Sequence, residues 1–165
     1  MEIRVGESAD RQALQHLSDF RAALDALLPQ GRRTLRILAP ELDHELLSRD
    51  EVTSALAAMV RVSPMTRIRV LLADSSAAIQ RGHRLVQLAR RFSSYIEMRL
   101  IEDPESSGPA WLVLDEQAVI QRPDYRSYTD GRVCGLDPDA GRLCREFDEM
   151  WERGAPDPEL RRLHL

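Results

Sequence analysis

Two short apolar runs, Thr34 to Ala39 and Arg67 to Ala73, constrain most strongly what this chain can fold into. Each is too short to bury itself as a helix. Each is rich in Ile, Val and Leu, so it reads as a strand covered on both faces. Pro40 ends the first run, and Asp74 with two serines closes the second. Between them, residues 51 to 62 place Val52, Leu56, Met59 and Val60 on one helical face, and Ser63 and Pro64 stop that helix. A strand, a helix and a strand at this spacing predict a right-handed parallel crossover.

The rest of the chain extends the pattern. Residues 78 to 92 set Leu85, Leu88, Ala89 and Phe92 at helical spacing, and Tyr95 to Ile101 alternates apolar with polar residues as a strand does. Trp111 to Leu114 and Ala118 to Gln121 flank Asp115, Glu116 and Gln117, which predicts a tight hairpin. A first helix is expected from a Ser8 cap through Leu14, Leu17, Leu24 and Leu28 to Pro29 and Gly31. A last one starts at Asp137 and Pro138 and carries Ala140, Leu143, Cys144, Phe147, Met150 and Trp151 on one stripe up to Gly154. Residues 102–109 and 122–136 read as loops, and 155–165 as an extended tail. The expected fold is α/β: one domain over residues 1–165 with a mixed, mainly parallel sheet and helices on both faces.

Composition narrows the function classes. At 165 residues, 43% apolar and 30% charged, the chain is large enough to bury a core without disulfides or metals. No apolar run approaches the roughly 20 residues of a membrane span, and Met1 leads into Glu2, Arg4 and Glu7 rather than a signal sequence. A bacterial cytoplasmic address and no membrane partner are the expectations. Cys134 and Cys144 are expected to be reduced and structural, with Cys144 on the apolar stripe of the last helix. The net charge of −4 argues against nucleic acid as a partner, although a local basic patch would have to be weighed separately.

The chain has no Gly-rich phosphate loop, no GxSxG, no HExxH and no CxxC. No catalytic residue, metal or cofactor is therefore assigned. Asp43, His44 and Glu45 imitate a metal or base site but read better as solvent-facing polar residues, and His16 and His164 have no ligand partners at suitable spacing. Arg81, His83 and Arg84 fall beyond a strand's carboxyl end, where open α/β sheets bind ligands, so they form a candidate anion site. The alternative is a solvated arginine face with a capping histidine. Arg122, Tyr125, Arg126 and Tyr128 follow the hairpin and can contact a base or sugar, or stabilise an ordinary loop.

The strings LRILAPELD, RIRVLLAD and WLVLDEQAVI, with a closing helix that carries Phe147 and Trp151, resemble one half of the phospholipase D-like superfamily. More narrowly, GHRLVQLARR, WLVLD and PDPELRRL look like a family of uncharacterised bacterial domains that occur alone or fused behind acetyltransferase-like domains. Active superfamily members carry HxKxxxxD, with His as nucleophile and Lys as phosphate partner. Aligning its aspartate with Asp115 puts Gly108 at the histidine position and Ala110 at the lysine position. The resemblance thus implies a degenerate site without the family's phosphodiesterase chemistry. It points to a non-catalytic binding or regulatory module for a small anionic or nucleotide-like ligand. The candidate contacts are Arg81, His83, Arg84, Asp115, Arg122 and Tyr125, although Asp115 also reads as a plain turn residue. The alternatives are a phosphodiesterase or nuclease rebuilt around His83 or His44, and a subunit for a protein partner such as an acetyltransferase-like domain. Single-half relatives pair about a two-fold axis. A homodimer is therefore expected, with Trp111, Tyr125 and Tyr128 at its interface unless Trp111 lies in the monomer core.

Overall fold

β2 (Thr34–Glu41) and β3 (Arg67–Asp74) pair in parallel with Thr34 opposite Arg67 and Glu41 opposite Asp74, so both strands deliver their carboxyl ends to the same side of the molecule. α3 (Asp50–Val62) makes the crossover between them, and β4 (Ile96–Leu100) joins β3 in parallel. On the other side of β2, the hairpin of β5 (Ala110–Leu114) and β6 (Ala118–Arg122) runs antiparallel. The computed structural model describes residues 1–102 and 108–161. Within them, one eight-stranded sheet runs in the order β1-β7-β6-β5-β2-β3-β4-β8, where β1 is Gln12–Ala13, β7 Arg132–Cys134 and β8 Ala155–Pro156.

Alternation along the strands separates two cores, as period-2 side-chain placement demands. Leu35 and Ile37 of β2, Ile68 and Val70 of β3, and Leu112 and Leu114 of β5 face α1 (Leu17–Leu27), α3 and α5 (Arg84–Arg91). Leu38, Leu71, Trp111, Val113 and Val119 face α6 (Ala140–Arg153) on the opposite side, against Leu143, Cys144, Phe147 and Trp151. Both cysteines are free and buried. No helix among the described residues is long and apolar enough to cross a membrane.

The α/β class, the mixed sheet and helices on both faces match the sequence reading, and several details correct it. Among the described residues parallel pairing is confined to β2-β3-β4, and the remaining pairings are antiparallel. The sheet is therefore not mainly parallel, because short segments before and after the crossovers add strands at both edges. Residues 8–16 do not belong to the first helix. The Ser8 hydroxyl accepts the Arg4 amide, the Ser8 carbonyl accepts the Leu136 amide, and Ala13 pairs with Arg132, so the segment spends its backbone groups on β7 and its flanks. The helix expected over 78–92 is two, α4 (Ser76–Gln80) and α5, because Gly82 takes a left-handed φ of 62° and His83 begins a new helix. β7 lies in a stretch read as loop. The tail expected to be extended instead adds β8 and the short α7 (Pro158–Arg161), while 162–165 and the 103–107 part of the expected loop lie outside the described residues.

Candidate functional site

The carboxyl end of β2 feeds directly into α2 (His44–Leu47), and Asp43 caps that helix by accepting the Leu46 amide on Oδ1 at 3.0 Å. Its other oxygen, Oδ2, accepts the Tyr128 hydroxyl at 2.7 Å and Arg122 Nη2 at 3.3 Å. Arg122 is the last residue of β6, opposite Ala110 of β5, and points under α1. Its guanidinium lies over the rings of Tyr128 and Phe20, at 4.9 and 5.7 Å from their centroids, and Nη1 reaches the Ser127 carbonyl. The two side chains are 5% and 11% exposed, so the pair is a buried one that satisfies itself through surrounding dipoles and rings. Burial, the hydrogen bond to Asp43 and the negative charge of that carboxylate push the Tyr128 phenol up to about 12.

His83 is tied to the same residue from the other side. Its Nε2 donates to the Asp43 carbonyl at 3.1 Å, while Nδ1 accepts the Leu85 amide at 3.1 Å and so caps α5. These two bonds fix the neutral Nε2–H tautomer. The ring is 1% exposed, and burial in first place pushes its pKa down to about 4. The His44 ring meets it edge-on at 5.7 Å, and His44 Nδ1 is buried with no hydrogen-bond partner among the described residues.

Outside this network lies a cavity of about 220 Å³ beyond the carboxyl ends of β2 and β3. Glu41, Asp43, His44, Arg81, Tyr125 and Arg126 are among its walls. Glu45 also borders it but pairs with Arg21, and Arg126 lies over the Tyr125 ring and bonds Asp124. Arg81 ends α4, is exposed and has no ion pair among the described residues. The Tyr125 amide donates to the Gly108 carbonyl, so the cavity abuts the start of β5, where Gly108 and Ala110 stand. Among the described residues no group of three His, Cys, Asp or Glu side chains is arranged to hold a metal.

Of the residues singled out from sequence, Arg81, His83 and Tyr125 come together at this cavity. Arg122 stands behind it, committed to Asp43. Arg84 turns away: its guanidinium pairs with Asp50 and its amide donates to Ser48. Asp115 lies at the opposite end of the sheet, where its carboxylate accepts the amides of Arg32, Arg33 and Thr34 at 2.9, 2.7 and 3.0 Å. It is a hairpin residue with a left-handed φ of 52°, as the plain turn reading had it. Trp111 is 5% exposed and packs edge-on with Phe147 at 6.1 Å, which removes it as an interface anchor. Sequence reasoning undervalued Asp43, which it left to solvent. The available signal was Asp43 standing directly before the His44–Leu47 turn, at the end of a strand in a crossover fold.

No curated protein matches the sequence. TrmBL2, an archaeal chromatin protein whose structure is described as showing a novel mode of DNA binding, superposes with a TM-score of 0.66 at 12% identity, over 92% of this chain and 53% of its own. NucT from Helicobacter pylori superposes with a TM-score of 0.58 at 9% identity, over 90% and 99%. Phosphatidylserine synthase from Haemophilus influenzae gives 0.54 at 13% identity, over 87% and 38%. This chain thus spans about half of TrmBL2 and less of the synthase. Such low identities speak for the fold alone, which is phospholipase D-like, as the resemblance implied. The model of one family matches residues 16–163, and the chain belongs to that family, described as a domain of unknown function, DUF7931.

Proposed function

We propose that this protein is a non-catalytic binding or regulatory module on a phospholipase D-like scaffold, and that it takes a small anionic ligand in the Asp43 cavity. The carrying observation is the cavity itself: about 220 Å³ beyond the carboxyl ends of two parallel strands, with His44 on its walls and Arg81, which has no ion pair among the described residues, beside it. That volume is below the roughly 300–1,000 Å³ of pockets for drug-sized ligands, so it favours a phosphate or carboxylate group over a whole nucleotide. Gly108 and Ala110 at the positions of the superfamily's histidine and lysine favour binding over turnover. A chain of this kind would act by reporting the ligand to a partner, for which an acetyltransferase-like domain is our candidate.

The test is a thermal-shift and calorimetric series with inorganic phosphate, phosphorylated sugars and nucleoside monophosphates. A specific ligand at about 100 to 1,000 times its Kd adds about 3 to 4 kcal/mol of apparent stability. The shift should vanish when Arg81→Ala is combined with His44→Ala. A shift unchanged in that variant, or no shift with any probe, overturns the assignment.

A phosphodiesterase rebuilt on a histidine is the second reading, and the place of His44 on the cavity wall is the observation that favours it. His83 does not suit that role, since backbone groups occupy both of its ring nitrogens. Hydrolysis of bis-p-nitrophenyl phosphate that is lost in His44→Ala would replace the binding reading with this one.

A further inference from the structure

The end of the sheet away from the cavity carries arginines that the Asp43 site does not use. Arg32 and Arg33 precede β2, Arg67 opens β3, and Arg61 and Arg91 lie in the last turns of α3 and α5. All are exposed, and none has an ion pair among the described residues. They form one continuous surface. The Arg67 amide donates to the Arg33 carbonyl, the Arg67 guanidinium lies over Tyr95 at 5.9 Å, and Arg61 and Arg91 both lie over Phe92, at 5.9 and 5.3 Å. Two carboxylates stand at the same end: Asp115 accepts three backbone amides, and Glu116 is turned to Arg36. Five arginines against these two carboxylates leave an excess of positive charge here, in a chain of net charge −4.

The same end holds an apolar tip. Val62 and Met65 are 62% and 60% exposed, and among the described residues the other large exposed apolar side chains are Met1 and Leu136. The loop that carries them is built, not frayed. The buried Thr66 hydroxyl bonds to the Met59 and Arg32 carbonyls, Ser63 Oγ accepts the Met65 amide, and Arg67 Nη1 reaches the Pro64 carbonyl. Val62, Pro64 and Met65 therefore project from a fixed base, between Arg61 and Arg67.

We propose that this end is a docking face for an anionic lipid bilayer. Its arginines would meet phosphate headgroups while Val62 and Met65 enter the acyl boundary. A nucleic acid would use the arginines but gain little from two apolar tips, whereas a bilayer uses both. Docking of this kind requires no membrane-spanning helix, so the lack of an apolar run of that length does not oppose it. The net charge that argued against polyanionic partners is an average over the whole chain and does not describe this end.

Co-sedimentation with vesicles of phosphatidylcholine alone, and of phosphatidylcholine mixed with phosphatidylglycerol, tests the proposal. The protein should bind the mixed vesicles only, and less as salt rises. Val62→Ser with Met65→Ser, and separately Arg33→Ala with Arg61→Ala and Arg91→Ala, should each reduce partitioning by about tenfold or more. All five positions are exposed, and unchanged unfolding curves would show that the fold is intact. No binding to mixed vesicles, or binding that survives either variant, overturns the proposal. Binding to duplex DNA at lower protein concentration than to vesicles, lost with the arginines but kept without Val62 and Met65, would assign the face to nucleic acid instead.

Discussion

Arg122 Nη2 lies 3.3 Å from the Asp43 carboxylate, and the two residues, 79 apart in sequence, bind the end of β6 to the turn after β2. This ion pair sets the back wall of the cavity. Removing one partner leaves a buried charge, which costs more than the pair itself contributes.

Asp43→Ala should therefore destabilise the protein by about 3 kcal/mol or more in urea unfolding. It also removes the α2 cap and the acceptor of the Tyr128 hydroxyl. The phenol should then titrate below its native value of about 12, read from tyrosinate absorbance. A variant as stable as the parent would mean that the pair is not formed in solution.

Stability should fall as the solution is acidified through the His83 window. In the folded protein burial holds this ring neutral down to about pH 4, whereas the unfolded chain takes up the proton near pH 6.5. Between those values the unfolded state binds more protons, so stability is complete above about 6.5 and declines toward 4. The loss amounts to about 3 kcal/mol. His83→Asn keeps a side-chain acceptor to cap α5 but does not titrate. The difference between its pH profile and that of the parent should span this window, and parallel profiles would refute the assignment.

Asp115 should prove structural. Asp115→Ala removes the acceptor of three amides and places alanine at a left-handed φ, a loss of about 2 to 3 kcal/mol. Asp115→Asn keeps one acceptor oxygen and tolerates that backbone, so it should retain more than half of the lost stability. Neither change should alter anion binding at the cavity, at the other end of β2.

Trp111→Ala should cost about 3 to 5 kcal/mol through the loss of its packing against Phe147, and should leave the molar mass by light scattering unchanged. A change in stoichiometry with little loss of stability would return Trp111 to an interface.

Much of this was written in local sequence. The apolar runs at 34–39 and 67–73, the stripe from Ala140 to Trp151, and the Asp115 turn each follow from periodicity or turn chemistry, and these act over a few residues. Local signals failed where a distant backbone competed: residues 8–16 left the helix because β7 offered them a pairing edge, and the same contact made β7 a strand. The site was the least legible part. No spacing rule brings Asp43, His83, Arg122 and Tyr128 together, because the meeting depends on how β2, α4 and β6 end on one side of the sheet. Tertiary structure likewise decided the fate of single arginines that look alike in sequence, burying Arg122 in an ion pair, turning Arg84 to Asp50 and placing Arg81 at the cavity with no ion pair among the described residues. The physical reason is range: propensity and capping act along the chain, whereas desolvation and charge pairing depend on neighbours that only the folded sheet supplies.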